Sequence, residues 1–274
     1  MPFSSQFSIP NAMKIATWNI NGVKARIDNL LHWLEESSPD IACLQEIKSV
    51  DELFPRMEIE ALGYHVETHG QKGFNGVAIL SKKTPDEVTR GLPGDDSDEQ
   101  SRFIQAQFST DQGVLRVVSL YLPNGNPVDT EKYPYKLSWM KRLNSWAEEQ
   151  LALEEPLILA GDYNIIPEPK DAETPAAWVN DALFLRTSRV LFRELENLGF
   201  SDAFRATTDA DKSYSFWDYQ AGAWQKNNGI RIDHLMLSPE AADLLETVDI
   251  EKHTRGWEKP SDHVPVVITL KNAF

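Results

Sequence analysis

Apolar positions along this chain fall into two kinds of run. Short unbroken runs bounded by turn residues read as buried strands, whereas longer stretches with apolar residues three and four apart read as amphipathic helices. Met13–Asn19 is a strand with Ile15 and Thr17 facing inward, followed by a helix over Arg26–Glu36 with Ile27, Leu30, Leu31 and Leu34 on one face. Ser37-Ser38-Pro39 stops that helix, and Asp40–Gln45 is a second buried strand. A weaker helix over Asp51–Leu62 closes on Gly63, and strands follow at Tyr64–Thr68 and Gly76–Ser81. Asp86–Ser101, acidic and rich in Gly and Pro, reads as a surface loop. Strands Arg102–Phe108 and Val114–Leu122 are joined by the hairpin signal Asp111-Gln112-Gly113.

Lys136–Leu151 is an amphipathic helix with Trp139, Met140, Leu143, Trp146, Ala147 and Leu151 on one face. The run Pro156–Ile166, PLILAGDYNII, is a buried strand that delivers Asp162 and Asn164 at its carboxyl end. A long loop, 167–180, leads to a helix over Ser188–Leu198 that Gly199 ends. Ser213–Tyr219, Ile230–Ser238 and Val264–Leu270 are the remaining strands. This order predicts an α+β fold of mixed sheets covered by helices. Each half has a strand ending in Asn or Asp-x-Asn near an amphipathic helix, which hints at two packed sheets with a site where their ends meet. No linker or charge run divides the chain. A single domain is therefore expected over 13–274, after a loose flexible extension over 1–12.

Six strand ends or pre-strand turns carry similar polar groups: Asn19 and Asn21, Glu46, Tyr121 and Asn124, Asp162 and Asn164, Arg231 and Asp233, Asp262 and His263. A single Asp or Asn at a turn is usually structural. Six such ends after apolar strands are harder to explain that way. If they converge, Glu46, Asp162, Asp233 and Asp262 share one site, at a repulsion and desolvation cost of roughly several kcal/mol. A hard divalent cation relieves that cost, and an oxygen and amide set without paired cysteines favours Mg²⁺ or Mn²⁺ over zinc. His263, with Asp233 a candidate to hold its ring, suits an oxyanion better than a metal shared with Asp262. Tyr121 and Asn124 are donors suited to phosphate oxygens. Such a kit fits phosphodiester hydrolysis, with Asp162 taking a proton from water and Asn164 orienting it.

Composition narrows the setting. The 274 residues suffice for a sizeable core, and 41% hydrophobic with 25% charged residues is ordinary for a globular protein. No apolar run approaches the ~20 residues that span a bilayer, and the first residues show no secretory pattern. The single cysteine, Cys43, lies in an apolar strand and permits no internal disulfide, which fits a reducing, cytoplasmic compartment. A net charge of −15 argues against a protein that coats nucleic acid, but not against an enzyme with a local basic strip or neutralised acids.

The set WNINGV, LQEIK, GQKGFNGVAIL, YLPNG, GDYNIIP, SFWDY, IRIDHLMLS and KPSDHVPV resembles the exonuclease III family of apurinic/apyrimidinic (AP) endonucleases, within the endonuclease/exonuclease/phosphatase superfamily. The match runs in family order from Met13 to the C-terminus. GDxN and SDHxP alone give only the superfamily; LQExK, YxPNG, SFWDY and RID together are specific to the DNA-repair branch.

The resemblance implies a four-layered α/β sandwich, two packed, mostly antiparallel sheets flanked by helices. It also implies Mg²⁺-dependent cleavage 5′ to abasic sites, a 3′-to-5′ exonuclease on duplex DNA and trimming of blocked 3′ ends, by a monomer. Carried over, Glu46 matches the principal metal ligand, with Asn19 and Asp262 nearby and Asp162, Asn164 and His263 bordering the metal. Asp162 matches the residue that activates water and Asn164 its neighbour on the phosphate. His263 matches the phosphate-polarising histidine, Asp233 the carboxylate that orients it, and Tyr121 and Asn124 phosphate contacts. Phe216, Trp217 and Ile230 fall where the family forms the pocket for a flipped-out abasic sugar, Ile230 standing where some relatives carry a larger aromatic. Trp178, Arg186 and Arg189 fall in a minor-groove element. Arg102, Lys72 and Lys48 are expected on the DNA backbone. Asn126-Pro127 stands where some relatives place an arginine that enters DNA.

Two rival readings make different demands. A lipid phosphodiesterase of the same superfamily calls for a membrane-facing apolar loop, and none is seen. A catalytically dead DNA-binding protein calls for a lost ligand, yet every matched position is filled.

Overall fold

The computed structural model describes residues 12–111 and 113–271. The expected extension lies, apart from its last residue, outside the described residues, as does Gln112 of the hairpin turn. Among the described residues, twelve strands form two six-stranded sheets. The first holds β1 (Met13–Asn19), β2 (Ile41–Gln45), β3 (His65–His69), β4 (Val77–Ser81), β11 (Leu245–Ile250) and β12 (Val266–Leu270), in the order β11-β12-β1-β2-β4-β3. The second holds β5 (Glu87–Arg90), β6 (Phe103–Thr110), β7 (Gly113–Tyr121), β8 (Leu157–Asp162), β9 (Ser201–Asp202) and β10 (Asp233–Leu237), in the order β5-β6-β7-β8-β10-β9. In each sheet one parallel pair, β1/β2 or β7/β8, is flanked by antiparallel neighbours. The echo between the two halves is therefore a repeat of topology.

The sheets pack face to face. Ile15, Ile41, Cys43 and Ile79 of the first meet Ile104, Val117, Ile158 and Leu235 of the second. Helices cover both outer faces. On the first, α1 (Ile27–Glu36) buries Leu30, Trp33 and Leu34, and Trp33 meets Trp18 edge to face at 5.2 Å. On the second, α3 (Lys132–Leu151) and α4 (Arg186–Leu198) press Trp139, Leu143, Leu191 and Phe192 onto β7 and β8. This is a four-layered sandwich, and it explains why β1 is buried on both faces except at Lys14, rather than alternating.

Several boundaries differ from the sequence pattern. The helix expected over Asp51–Leu62 is a 3-10 turn, Asp51–Leu53, and a short α2 (Arg56–Glu60), separated where Pro55 removes a backbone donor. The expected loop 86–101 contains β5. Ser213–Tyr219 forms isolated bridges rather than a strand, with Phe216 paired to Ile230 and to His263. The edge strand β11, two short helices, α5 (Ala203–Thr207) and α6 (Pro239–Ala242), and 3-10 turns at Val23–Ala25, Pro169–Asp171, Pro175–Trp178 and Lys252–Gly256 complete the described elements.

Candidate active site

The two parallel pairs point their carboxyl ends to the same edge of the sandwich. Asn19 ends β1, Glu46 follows β2, Tyr121 ends β7 and Asp162 ends β8. Tyr121 and Asp233 are the registered partners of Asp162 on its two sides. A polar bridge under the floor fixes the sheets to each other: Gln45 Nε2 donates to Ser119 Oγ at 3.1 Å, and Ser119 Oγ donates to the Leu44 carbonyl at 3.0 Å. Above it, Asn19 Nδ2 donates both to Glu46 Oε1 and to Asp162 Oδ2, each at 2.9 Å. One amide thus ties carboxylates of opposite sheets.

The turns that aim these groups are strained. Glu46, Lys48, Asn21 and Asn164 have φ of 50°, 51°, 48° and 47°. That left-handed conformation costs a residue with a side chain roughly 1–2 kcal/mol. Non-glycine residues held there at the end of buried strands point to a functional demand.

Asp162 and His263 are buried in the floor of a cavity of about 390 Å³. The Asn164 backbone N–H holds Asp162 Oδ1 at 2.8 Å. Asn124 Nδ2 donates to Asn164 Oδ1 at 3.0 Å. The His263 ring lies with Nδ1 2.8 Å from Asp233 Oδ2 and Nε2 3.7 Å from Asp162 Oδ2. Asp233 is held in turn by Ser215 Oγ at 2.6 Å. Asn21 Nδ2 donates to Asp262 Oδ1 at 3.0 Å.

Electrostatics follow from this packing. Burial raises the Asp162 carboxyl, against the pull of His263, to about 7. Burial lowers the His263 imidazole, but Asp233 and Asp162 outweigh it and hold the ring charged, at about 10. Burial opposes the Glu46 carboxylate, yet Lys48 at 2.8 Å and Asn19 keep it below its ordinary value. Burial, with Glu46 and Asp162 nearby, pushes the Tyr121 phenol far up, so it stays a donor.

Of the residues singled out in the sequence, Glu46, Tyr121, Asn124, Asp162, Asn164, Asp262, His263, Phe216 and Trp178 line the cavity, with Asn19 and Asp233 behind them. Others stand elsewhere. Trp217 turns away, fully buried against Tyr214 and Trp224, with its indole N–H on Asn227. Ile230 lies in the apolar cluster beneath, and Ile232 takes its place on the wall. Arg231, placed by its strand spacing beside Asp233, instead joins Asp171 and Asp202, because the regular strand begins only at Asp233. Lys48 is engaged by Glu46 and by Asn21 Oδ1 at 2.5 Å. Arg102 lies over the Tyr121 ring at 4.9 Å and lines an adjoining groove with Phe74, Lys132 and Tyr135.

Sequence reasoning missed Asp181, Leu183 and Asp218 on the wall. It also missed Lys136, whose buried ammonium donates to the carbonyls of Asn124 at 3.0 Å and Asn164 at 2.6 Å. Asp218 lies inside SFWDY and was legible there. Asp181 and Leu183 come from a loop with no pattern of its own.

Comparison with known proteins agrees with this architecture. The model of the Endonuclease/Exonuclease/phosphatase family matches residues 16–263. Exodeoxyribonuclease III of Haemophilus influenzae is 38% identical, over 94% of this chain and 100% of its own length. An AP endonuclease from Archaeoglobus fulgidus superposes with a TM-score of 0.89 at 35% identity, over 94% of this chain and 99% of that one. The 3′ phosphatase NExo from Neisseria, bound to a product DNA hairpin, superposes with a TM-score of 0.91 at 35% identity and the same coverage. With a family model spanning the strand ends from β1 to His263, and a relative matched along nearly the whole chain, this protein belongs to the Endonuclease/Exonuclease/phosphatase family.

Proposed function

We propose that the chain is a Mg²⁺-dependent DNA repair nuclease. It cleaves the phosphodiester 5′ to abasic sites, degrades duplex DNA from 3′ ends and trims blocked 3′ termini, acting as a cytoplasmic monomer. The observation that carries this reading is the alignment of Asp162, His263 and Asp233 beside Glu46 in one cavity. Similarity to an exodeoxyribonuclease III, an AP endonuclease and a DNA-bound 3′ phosphatase supports the substrate class.

The cavity fits a hard cation on its own chemistry. Five carboxylates, Glu46, Asp162, Asp181, Asp218 and Asp262, line it against one imidazole, a field that repels a phosphate. Among the described residues, Asp162, Asp233 and His263 bring potential ligand atoms within 4.8 Å of one another. Because Asp233 already engages His263 Nδ1, the carboxylates that face the cavity are those of Glu46, Asp262 and Asp162, held by donors of Asn19, Asn21, Asn164 and Lys48 whose places a cation would take in part. These carboxylates would hold Mg²⁺ or Mn²⁺, which supplies charge neutralisation at the scissile phosphate.

The protein groups do the rest. Asp162, fixed by the Asn164 N–H and Asn19, accepts a proton from the attacking water, and Asn164 orients that water. His263, oriented by Asp233, presents Nε2–H to a non-bridging phosphate oxygen. Tyr121 and Asn124 donate to the same phosphate. Phe216, packed on the His263 ring at 4.9 Å, forms with Trp178 and Ile232 an apolar wall that accepts a sugar without its base. Arg102 contacts the flanking backbone. Lys48 exchanges its carboxylate partner for a phosphate when DNA arrives.

A labelled abasic duplex and an intact duplex, each with Mg²⁺ and with EDTA, test the reading. The expected result is a nick 5′ to the abasic site and shortening of the intact strand from its 3′ end, both abolished by EDTA. Absence of cleavage of either duplex with Mg²⁺ overturns it.

A further inference from the structure

We infer that Arg231 and His234 are positioning residues: a buried side-chain relay behind the cavity sets where the Asp162–Asn164 turn stands relative to the Asp233–His263 pair. This inference rests on the nuclease reading above.

Arg231 is 1% exposed. An arginine removed from water is costly unless matched by partners of good geometry. Here Nε lies 2.7 Å from Asp171 Oδ1 and one terminal nitrogen 2.7 Å from Asp202 Oδ2, while Arg205 shares Asp171. The guanidinium also lies over the Phe204 ring at 5.0 Å, so its plane is fixed.

The same terminal nitrogen stands 3.0 Å from His234 Nδ1. A guanidinium only donates, so Nδ1 accepts and the ring proton sits on Nε2. Nε2–H then donates to the Ile165 carbonyl at 3.2 Å. The imidazole is held in place by Tyr163 at 5.5 Å and Phe192 at 5.2 Å. Arg231 thus selects the tautomer, and the tautomer anchors the peptide that follows the strained Asn164.

Two backbone bonds lash the same segments together. Arg231 N–H donates to Asp171 O at 2.8 Å, and Tyr163 N–H to Ile232 O at 2.9 Å. Along β10, Asp233 and His234 face opposite sides. One strand therefore offers its carboxylate to His263 and its imidazole to the Asp162 turn. A displacement of about 1 Å at a reacting group costs on the order of 10²-fold in rate. A relay that holds both segments is placed to prevent it.

The test uses the full chain on the abasic duplex with Mg²⁺, with the folded fraction of every variant verified by tryptophan fluorescence. His234→Phe keeps a ring of similar volume and removes both nitrogens. His234→Gln keeps an acceptor and a donor. His234→Phe is expected to lower kcat about 10- to 100-fold with KM within about twofold, and His234→Gln to recover much of that loss. Arg231→Lys, which cannot hold the tautomer and both carboxylates together, is expected to change kcat in the same direction. The inference is overturned if folded His234→Phe keeps kcat within about twofold of the parent, or if His234→Gln is as impaired as His234→Phe. A parent protein that does not nick the duplex strikes at the nuclease reading instead.

Discussion

Asp162 and Asp233 stand opposite each other in the register of β8 and β10, and the imidazole of His263 lies between them, Nδ1 2.8 Å from Asp233 and Nε2 3.7 Å from Asp162. Two buried carboxylates on adjacent strands repel each other, and a cationic ring between them relieves the repulsion. The arrangement joins β8, β10 and the approach to β12, segments far apart in the chain. It also gives each face of the ring a separate task, one nitrogen held and the other free to act.

Replacing Asp233 by Asn leaves a neutral partner that no longer favours the imidazolium. Asp233→Asn is expected to fold and to lower kcat on abasic DNA by roughly 10²- to 10⁴-fold, the usual worth of an acid–base group, with little change in KM. Single-turnover cleavage measures it. A loss smaller than about threefold means that the pair does not act in the chemical step.

Lys48 holds Glu46 at 2.8 Å and so competes with a divalent cation for the same carboxylate. Both groups are partly exposed, and such a pair is worth only about 1 kcal/mol or less. Lys48→Met is therefore expected to lower the Mg²⁺ concentration for half-maximal activity by up to about fivefold, while KM for DNA rises. A Mg²⁺ titration of the nicking rate decides it; an unchanged midpoint means that lysine and cation do not share the site.

His234 is fully buried, and burial together with Arg231 lowers its imidazole to about 4. The unfolded chain takes up that proton near pH 6.5, the native state only near 4. Acid therefore favours the unfolded state through this window, and the penalty saturates below it. Between pH 7 and 4 the stability advantage of the parent over His234→Phe is expected to shrink by ~3 kcal/mol, measured by urea unfolding in EDTA. A gap that stays constant with pH refutes the buried neutral histidine.

Gly161 precedes Asp162 where β8 passes β7 closely, and an added Cβ would lie 2.0 Å from the Leu120 carbonyl oxygen. The obstacle is backbone, which cannot swing aside. Gly161→Ala is expected to cost at least about 1–3 kcal/mol, the range of overpacked cores, and to reduce activity by shifting Asp162. Thermal unfolding reads the first effect and kcat the second. A variant with the melting temperature of the parent contradicts the close approach.

The core strands and the helices α1, α3 and α4 were legible because their apolar spacing matches the faces they bury. The outermost strands β5 and β11 were not. Each sits at a sheet edge, where Val88 of β5 and Leu245, Val248 and Ile250 of β11 are only partly buried against the core and alternate with Glu87, Thr89, Glu246 and Asp249, so neither forms an unbroken apolar run. Lys136 reads as a solvated residue of an amphipathic helix, and only the fold brings two loop carbonyls to its ammonium. Asp171 and Asp202 carry no pattern of their own in the sequence, and in the fold each first caps a local turn or helix. Their second role as counter-ions of Arg231 depends on contacts from positions 29 to 60 residues away. Six polar strand ends were visible as a pattern. Their convergence came from family resemblance, because spacing along a chain does not say which edge of a sandwich a strand faces.

In the first sheet β12 lies between β11 and β1, and Met13 is paired with Leu270. That sheet cannot be assembled from the N-terminal portion of the chain, whatever strands have already formed. A chain cut before Val266 carries Glu46 and Asp162 but lacks the strand that anchors His263 beside them. The cavity's full set of groups therefore comes together only once β12 has joined β1.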